Sequence, residues 1–100
     1  ATLHPTMPDD PELQALRAAV DDCNRRLFAL LQERAALAAT IGIHKRRQGL
    51  PALDPQREQA MARQLAEAPP AGPLDAAALQ RILTAVLQET RRLVEGPAPR

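Results

Sequence analysis

One hundred residues, 45% hydrophobic but only 1% aromatic with Phe28 the sole ring, bound a single all-α domain whose modest core is built from Leu, Ala, Ile and Val. A net charge of +1 is too balanced for a dedicated nucleic-acid binder, and without Trp or Tyr there are no platforms on which single-stranded bases could stack. The lone Cys23 excludes a disulfide framework or a multi-cysteine metal site within one chain, and no apolar run is long enough for a membrane span. Residues 1–9, rich in proline and polar groups, read as a disordered N-terminal segment without a signal-peptide pattern, so a soluble, cytoplasmic protein is expected. Asp10-Pro11-Glu12 then opens a helix: a capping Asp, Pro at the first helical position and an acid in the first turn. The helical pattern runs to Gln48, where Gly49 and Pro51 stop it. Gly42 is an interior weak point that marks either a kink or the close approach of a ligand or a second helix. Asp54-Pro55 repeats the opening signature and starts a second helix to about Ala68, followed by a Pro/Gly-rich loop to Pro73. Asp75 caps a third helix, with Leu74 placed to staple onto Leu79; it runs to about Glu95. Gly96-Pro97 ends it, so residues 10–95 form the domain and 96–100 a flexible tail.

The first helix carries a seven-residue seam: Leu13, Leu16, Val20, Cys23, Leu27, Leu30, Arg34, Leu37, Ile41, His44. Cys23 therefore reads as a small buried apolar residue. Thirty-eight helical residues span about 57 Å, whereas a compact domain of this size has a radius of gyration of about 13 Å. Part of the helix must project beyond its own globule with its seam intact, and a homodimer is the natural cover. The competing reading breaks the helix at Gly42 and folds a monomeric three-helix bundle.

Charged and polar residues interrupt the apolar pattern. Arg34 occupies a seam position, and Lys45, eleven residues on, shares its face about 16 Å away. Glu58 heads the inward stripe Glu58, Met61, Leu65, and Thr90 interrupts the stripe Leu79, Ile82, Leu83, Val86, Leu87, Leu93. Buried charge is costly unless it is paired or binds something, so a cationic pocket in a helical core points to a small anionic ligand. In the run His44-Lys45-Arg46-Arg47, cations suit the helix C-terminus, with Lys45 inward and Arg46 and Arg47 solvated. His4 and His44 have no companions at metal-ligand spacing, and no metal is expected.

Taken together, Leu16-Arg17, Leu27, Leu30-Leu31-x-Glu33-Arg34, Ile41-Gly42-x-x-Lys45, Pro51-x-x-Asp54-x-x-Arg57-Glu58 and Thr90 resemble the all-α chorismate mutases. The resemblance runs without obvious gaps from about Leu13 to Leu93. It implies three helices per chain in an intertwined homodimer with two active sites and no cofactor. The implied reaction rearranges chorismate to prephenate on the shikimate-derived route to phenylalanine and tyrosine. That substrate is a dianion whose pericyclic rearrangement needs no nucleophile and no proton transfer. It gains from being held folded and from donors at the ether oxygen, where negative charge builds as the C–O bond breaks. By this resemblance Arg34 binds a substrate carboxylate, Lys45 reaches the ether oxygen, and Glu58 with Asp54 takes the ring hydroxyl. Arg57 supports the pocket electrostatically, Thr90 stands where the family usually has serine and contacts a carboxylate, and Ile41 faces the substrate. Arg17 is the residue supplied by the other subunit. It lies about 26 Å from Arg34 along one helix, too far for both to grip one small molecule. Antiparallel pairing of the first helices about a two-fold axis near Phe28 would bring it to the opposite site.

One substrate-facing position departs from the pattern. Four residues after its serine the family usually carries Gln or Glu, a donor to the ether oxygen; here that position is Val94, with Glu95 about 100° around the helix. Two other functions stay open. One is an isochorismate pyruvate-lyase on the same scaffold, which the intact Asp54-x-x-Arg57-Glu58 stretch disfavours. The other is a non-catalytic helical dimer regulating a shikimate-pathway enzyme, which Val94 favours. Thr90 also has a purely structural alternative, bonding back to its own helix.

Overall fold

Each helix begins and ends where local chemistry requires. The structure, a computed structural model, describes residues 10–68 and 71–97. The N-terminal segment 1–9 with His4, residues 69 and 70 of the second loop, and 98–100 of the tail lie outside the described residues. Helix α1 (Pro11–Gln48) starts with the Glu12 amide donating to Asp10 Oδ1 at 3.2 Å. It ends in a Schellman motif: Leu50 N–H donates to the Lys45 carbonyl at 2.8 Å and Gly49 N–H to that of Arg46 at 3.3 Å. Gly49 has φ 69°, the left-handed conformation this motif requires. Helix α2 (Pro55–Glu67) is capped by Asp54, whose Oδ1 accepts from the Arg57 amide at 3.0 Å. Helix α3 (Ala76–Glu95) is capped by Asp75, which accepts from the Ala78 amide at 2.8 Å, and it stops at Gly96 with φ 81°. Among the described residues there is no strand, and no helix is long and apolar enough to cross a membrane.

Helix α1 is unbroken through Gly42, yet the chain divides into two units, Ala1–Glu33 and Arg34–Arg100. In the first unit every residue from Pro11 to Leu30 is exposed, including the seam residues Leu16 (59%) and Leu30 (62%). Cys23, expected to be buried, is exposed in this chain, with Arg26 Nη2 3.3 Å from its sulfur. The stretch cannot shield its own apolar seam.

In the second unit, Ala38 and Gly42, four residues apart on one face of α1, are the buried residues of the helix. A Cβ placed on Gly42 would sit 2.9 Å from Cα and C of Val94 and would collide with the Val94 carbonyl oxygen. Gly42 therefore marks the close approach of a second helix, not a kink. Helix α2 turns Glu58, Met61 and Leu65 inward as expected, each half-buried. On α3, Leu79, Leu83, Val86, Leu87 and Thr90 are half-buried, but Ile82 and Leu93 are exposed and Val94 is half-buried instead. The Gly42 contact explains the shift, because it draws the backbone of residue 94 inward and sets how α3 is rotated about its axis.

Candidate active site

The second unit carries an open cavity of about 290 Å³. Leu37, Ile41, Met61 and Leu87 supply apolar walls, and all the charges come from six side chains. Arg34, Lys45, Arg57 and Arg91 are cationic, Asp54 and Glu58 anionic, so four minus two leaves a formal +2. Helix α1 contributes Arg34 and Lys45, and its Schellman turn brings the chain back so that Ala52 lies beside the lysine. Lys45 Nζ donates to the Ala52 carbonyl at 3.0 Å, which uses one of its three donors and fixes a flexible side chain at the cavity wall. Arg34 Nη1 donates to Thr90 Oγ1 at 3.3 Å, and the Thr90 hydroxyl donates onward to the Val86 carbonyl at 2.8 Å. Thr90 thus bonds back to its own helix, the structural alternative, and its hydroxyl oxygen also accepts from Arg34 at the cavity wall.

Asp54 caps α2 through Oδ1 and also lines the cavity, so its binding role would fall to the other oxygen. The cap places Arg57 and Glu58 in the first turn of α2, both at the cavity. Glu58 is held from α3: Arg91 Nη2 lies 3.3 Å from Oε1 and 3.5 Å from Oε2. Val94, an apolar residue, lines the cavity, and its carbonyl accepts from Arg46 Nη1 at 2.9 Å. Arg46 is exposed, as the sequence predicts, and it also satisfies an end carbonyl of α3 that the helix leaves unpaired. Its guanidinium occupies the space a Cβ on Gly96 would need.

Independent comparisons bear on this arrangement. The family described as chorismate mutase type II matches residues 16–95. The chain belongs to that family. Form II of the chorismate mutase from Thermus thermophilus is 33% identical, with a TM-score of 0.80 over 88% of this chain and 99% of that one. The chorismate mutase of Helicobacter pylori, solved in complex with prephenate, is 30% identical, with a TM-score of 0.75 over 86% of this chain and 92% of that one. No curated protein matches the chain at a comparable level.

As a type II chorismate mutase domain, the chain is all-α with three helices, one of them long. Of the nine anticipated substrate-site residues, Arg34, Ile41, Lys45, Asp54, Arg57, Glu58, Thr90 and Val94 all line this cavity. Arg17 does not; it lies on α1 in the first unit. Glu95, the other conceivable donor near residue 94, is exposed and absent from the cavity wall. Sequence reasoning misses Arg91. Its position four residues after Leu87 and three before Val94 puts it on the cavity face of α3, but a cation in a run of arginines reads as solvated surface.

Proposed function

We propose that the chain rearranges chorismate to prephenate at this cavity, as a homodimer in which each site is completed by Arg17 of the partner subunit. The observation that carries the proposal is the net-positive cavity, at which eight of the nine anticipated positions meet within a single chain. Within one bound molecule the ether C–O bond breaks as the new C–C bond forms, so nothing enters or leaves. The protein's work is to hold the folded conformer and to stabilise charge on the ether oxygen. Arg34 and Arg17 of the partner subunit grip the two carboxylates in forked contacts. Arg57 adds to the positive field, and Lys45, with two donors unspent, serves the ether oxygen. Glu58 accepts from the ring hydroxyl, assisted by Asp54. The apolar walls exclude conformers that do not pack, and Val94 adds no donor.

The uncovered seam supports the dimer. Leu13, Leu16, Val20, Leu27 and Leu30 are each at least 41% exposed on one helix, an apolar stripe that a second copy would cover. Antiparallel pairing of two such helices near Phe28 carries each Arg17 to the opposite cavity. The bound prephenate of the Helicobacter pylori relative supports the same product here.

The test is incubation of the purified chain with chorismate, and separately with isochorismate, followed by chromatographic identification of products. Prephenate from chorismate is the expected result. Pyruvate released from isochorismate without prephenate formation would assign the lyase. A folded dimer that turns over neither would assign the regulatory module.

A further inference from the structure

Of the four cations at the cavity, Arg91 has no part in the mechanism above. It stands on α3 and faces a carboxylate on α2, with one nitrogen, Nη2, in front of both Glu58 oxygens. The distances of 3.3 and 3.5 Å describe an ion pair, longer than a tight charge-assisted hydrogen bond. The Arg91 and Glu58 side chains are 43% and 34% exposed, and a pair so open to solvent contributes little to stability. Its effect is on geometry. A half-buried glutamate has three rotatable bonds, and the same cavity holds three further cations, Arg34, Lys45 and Arg57, that compete for it. Pairing with Lys45 would draw off one of the two donors that lysine has left for the ether oxygen. Arg91 offers Glu58 a partner on the far helix. Because Arg91 presents only one nitrogen to the two oxygens, about half of the roughly four lone-pair sites of the carboxylate stay open.

We propose that Arg91 is a positioning residue that holds the Glu58 carboxylate off Lys45 and presents it as the acceptor for the substrate's ring hydroxyl. The proposal rests on the chorismate reading of the cavity. It also accounts for a cation beside a helix position where the family's usual donor is missing: Arg91 acts on Glu58 and does not replace the donor absent at Val94.

The test compares chorismate with an analogue lacking the ring hydroxyl, in the wild-type chain and in Arg91→Met, Arg91→Lys, Glu58→Gln and the double variant Arg91→Met/Glu58→Gln. The readout is the ratio of kcat/KM for the two substrates, from which any general loss of positive field cancels. Arg91→Met should lower that ratio about tenfold, the scale of one hydrogen bond to a charged group. Arg91→Lys should restore most of it, and in the Glu58→Gln background Arg91→Met should leave it unchanged. An unchanged ratio in Arg91→Met overturns the proposal while the chorismate reading stands, as does a further fall of about tenfold in the double variant. Failure of the wild-type protein to convert chorismate overturns the reading of the cavity and this proposal with it.

Discussion

The two ends of α1 obey one sequence rule and meet different fates. Both carry the same seven-residue apolar seam, but from Pro11 to Leu30 nothing is covered, whereas beyond Glu33 the helix buries Ala38 and Gly42 and half-buries Arg34, Ala35, Ala39 and Lys45. Side-chain size separates the halves better than hydrophobicity does. Where α1 meets helices of its own chain, the buried residues are alanine and glycine, which let backbones approach closely. Where it carries Leu, Val and Phe, its own chain leaves it open. Even in the second half the large seam residues Leu37 and Ile41 stay 58% and 50% exposed, because they wall the cavity instead of filling a core. An apolar periodicity thus says that a face is to be covered, and residue size says by what.

The largest effect should come from breaking the uncovered half. Leu27→Asp places a carboxylate where the partner helix is proposed to pack, and should cost the chain both its dimer and its fold. Sedimentation and circular dichroism at micromolar concentration would record this together. A compact, helical monomer, whether of this variant or of the wild type, would show that the exposed seam needs no partner.

The next test sets one half of α1 against the other. Arg17→Ala and Lys45→Ala homodimers should each lose roughly 10²–10³ in kcat/KM, the scale of removing a donor to developing or bound charge. Unfolded together and refolded, they should regain about a quarter of wild-type activity, since half the dimers are mixed and each mixed dimer has one intact site. Confirmed subunit exchange without recovery would mean that both residues act within one chain.

A smaller effect is expected inside the second half. Gly42→Ala gains up to about 1 kcal/mol of helix propensity, but its Cβ meets main-chain atoms of Val94 that cannot rotate away. Such overpacking costs roughly 1–3 kcal/mol, so the melting temperature should fall by several degrees at fixed protein concentration. A rise would show that α3 moves aside at little cost.

The mildest change is Val94→Gln, which adds a neutral donor at the cavity. It should raise kcat several-fold, more than it changes KM, because the new contact strengthens only as charge develops on the ether oxygen. No gain, or a loss, in steady-state rates would mean that the larger side chain crowds the pocket or that the ether oxygen is already fully served.

Much of this was legible in the sequence because it is local. Asp10, Asp54 and Asp75 each precede a helix and cap it, and Gly49 and Gly96 stop helices in the positive-φ conformations only glycine adopts readily. The cavity residues on α1 and α2 were legible too, because charge interrupting an apolar period is conspicuous. What escaped was set by contacts between distant segments. The inward turn of Val94 in place of Leu93 follows from its contact with Gly42, far back along the chain on another helix. Arg46 meets Val94 and Arg91 meets Glu58 across comparable gaps. Each is an arginine that its own helix would have left in water, and only the neighbouring helix gives it a partner.

The meeting of Gly42 with Val94 has one more consequence. On the α3 side the atoms nearest that position are Cα, C and O of Val94, atoms that every amino acid possesses, and Val94 also lines the cavity. The spacing of the two helices is therefore indifferent to the identity of residue 94, though not to that of residue 42. One partner in the joint is mechanically fixed and chemically interchangeable. Residue 94 is thus a socket in the wall of the site, where a single codon change could retune the reaction and leave the architecture around it standing.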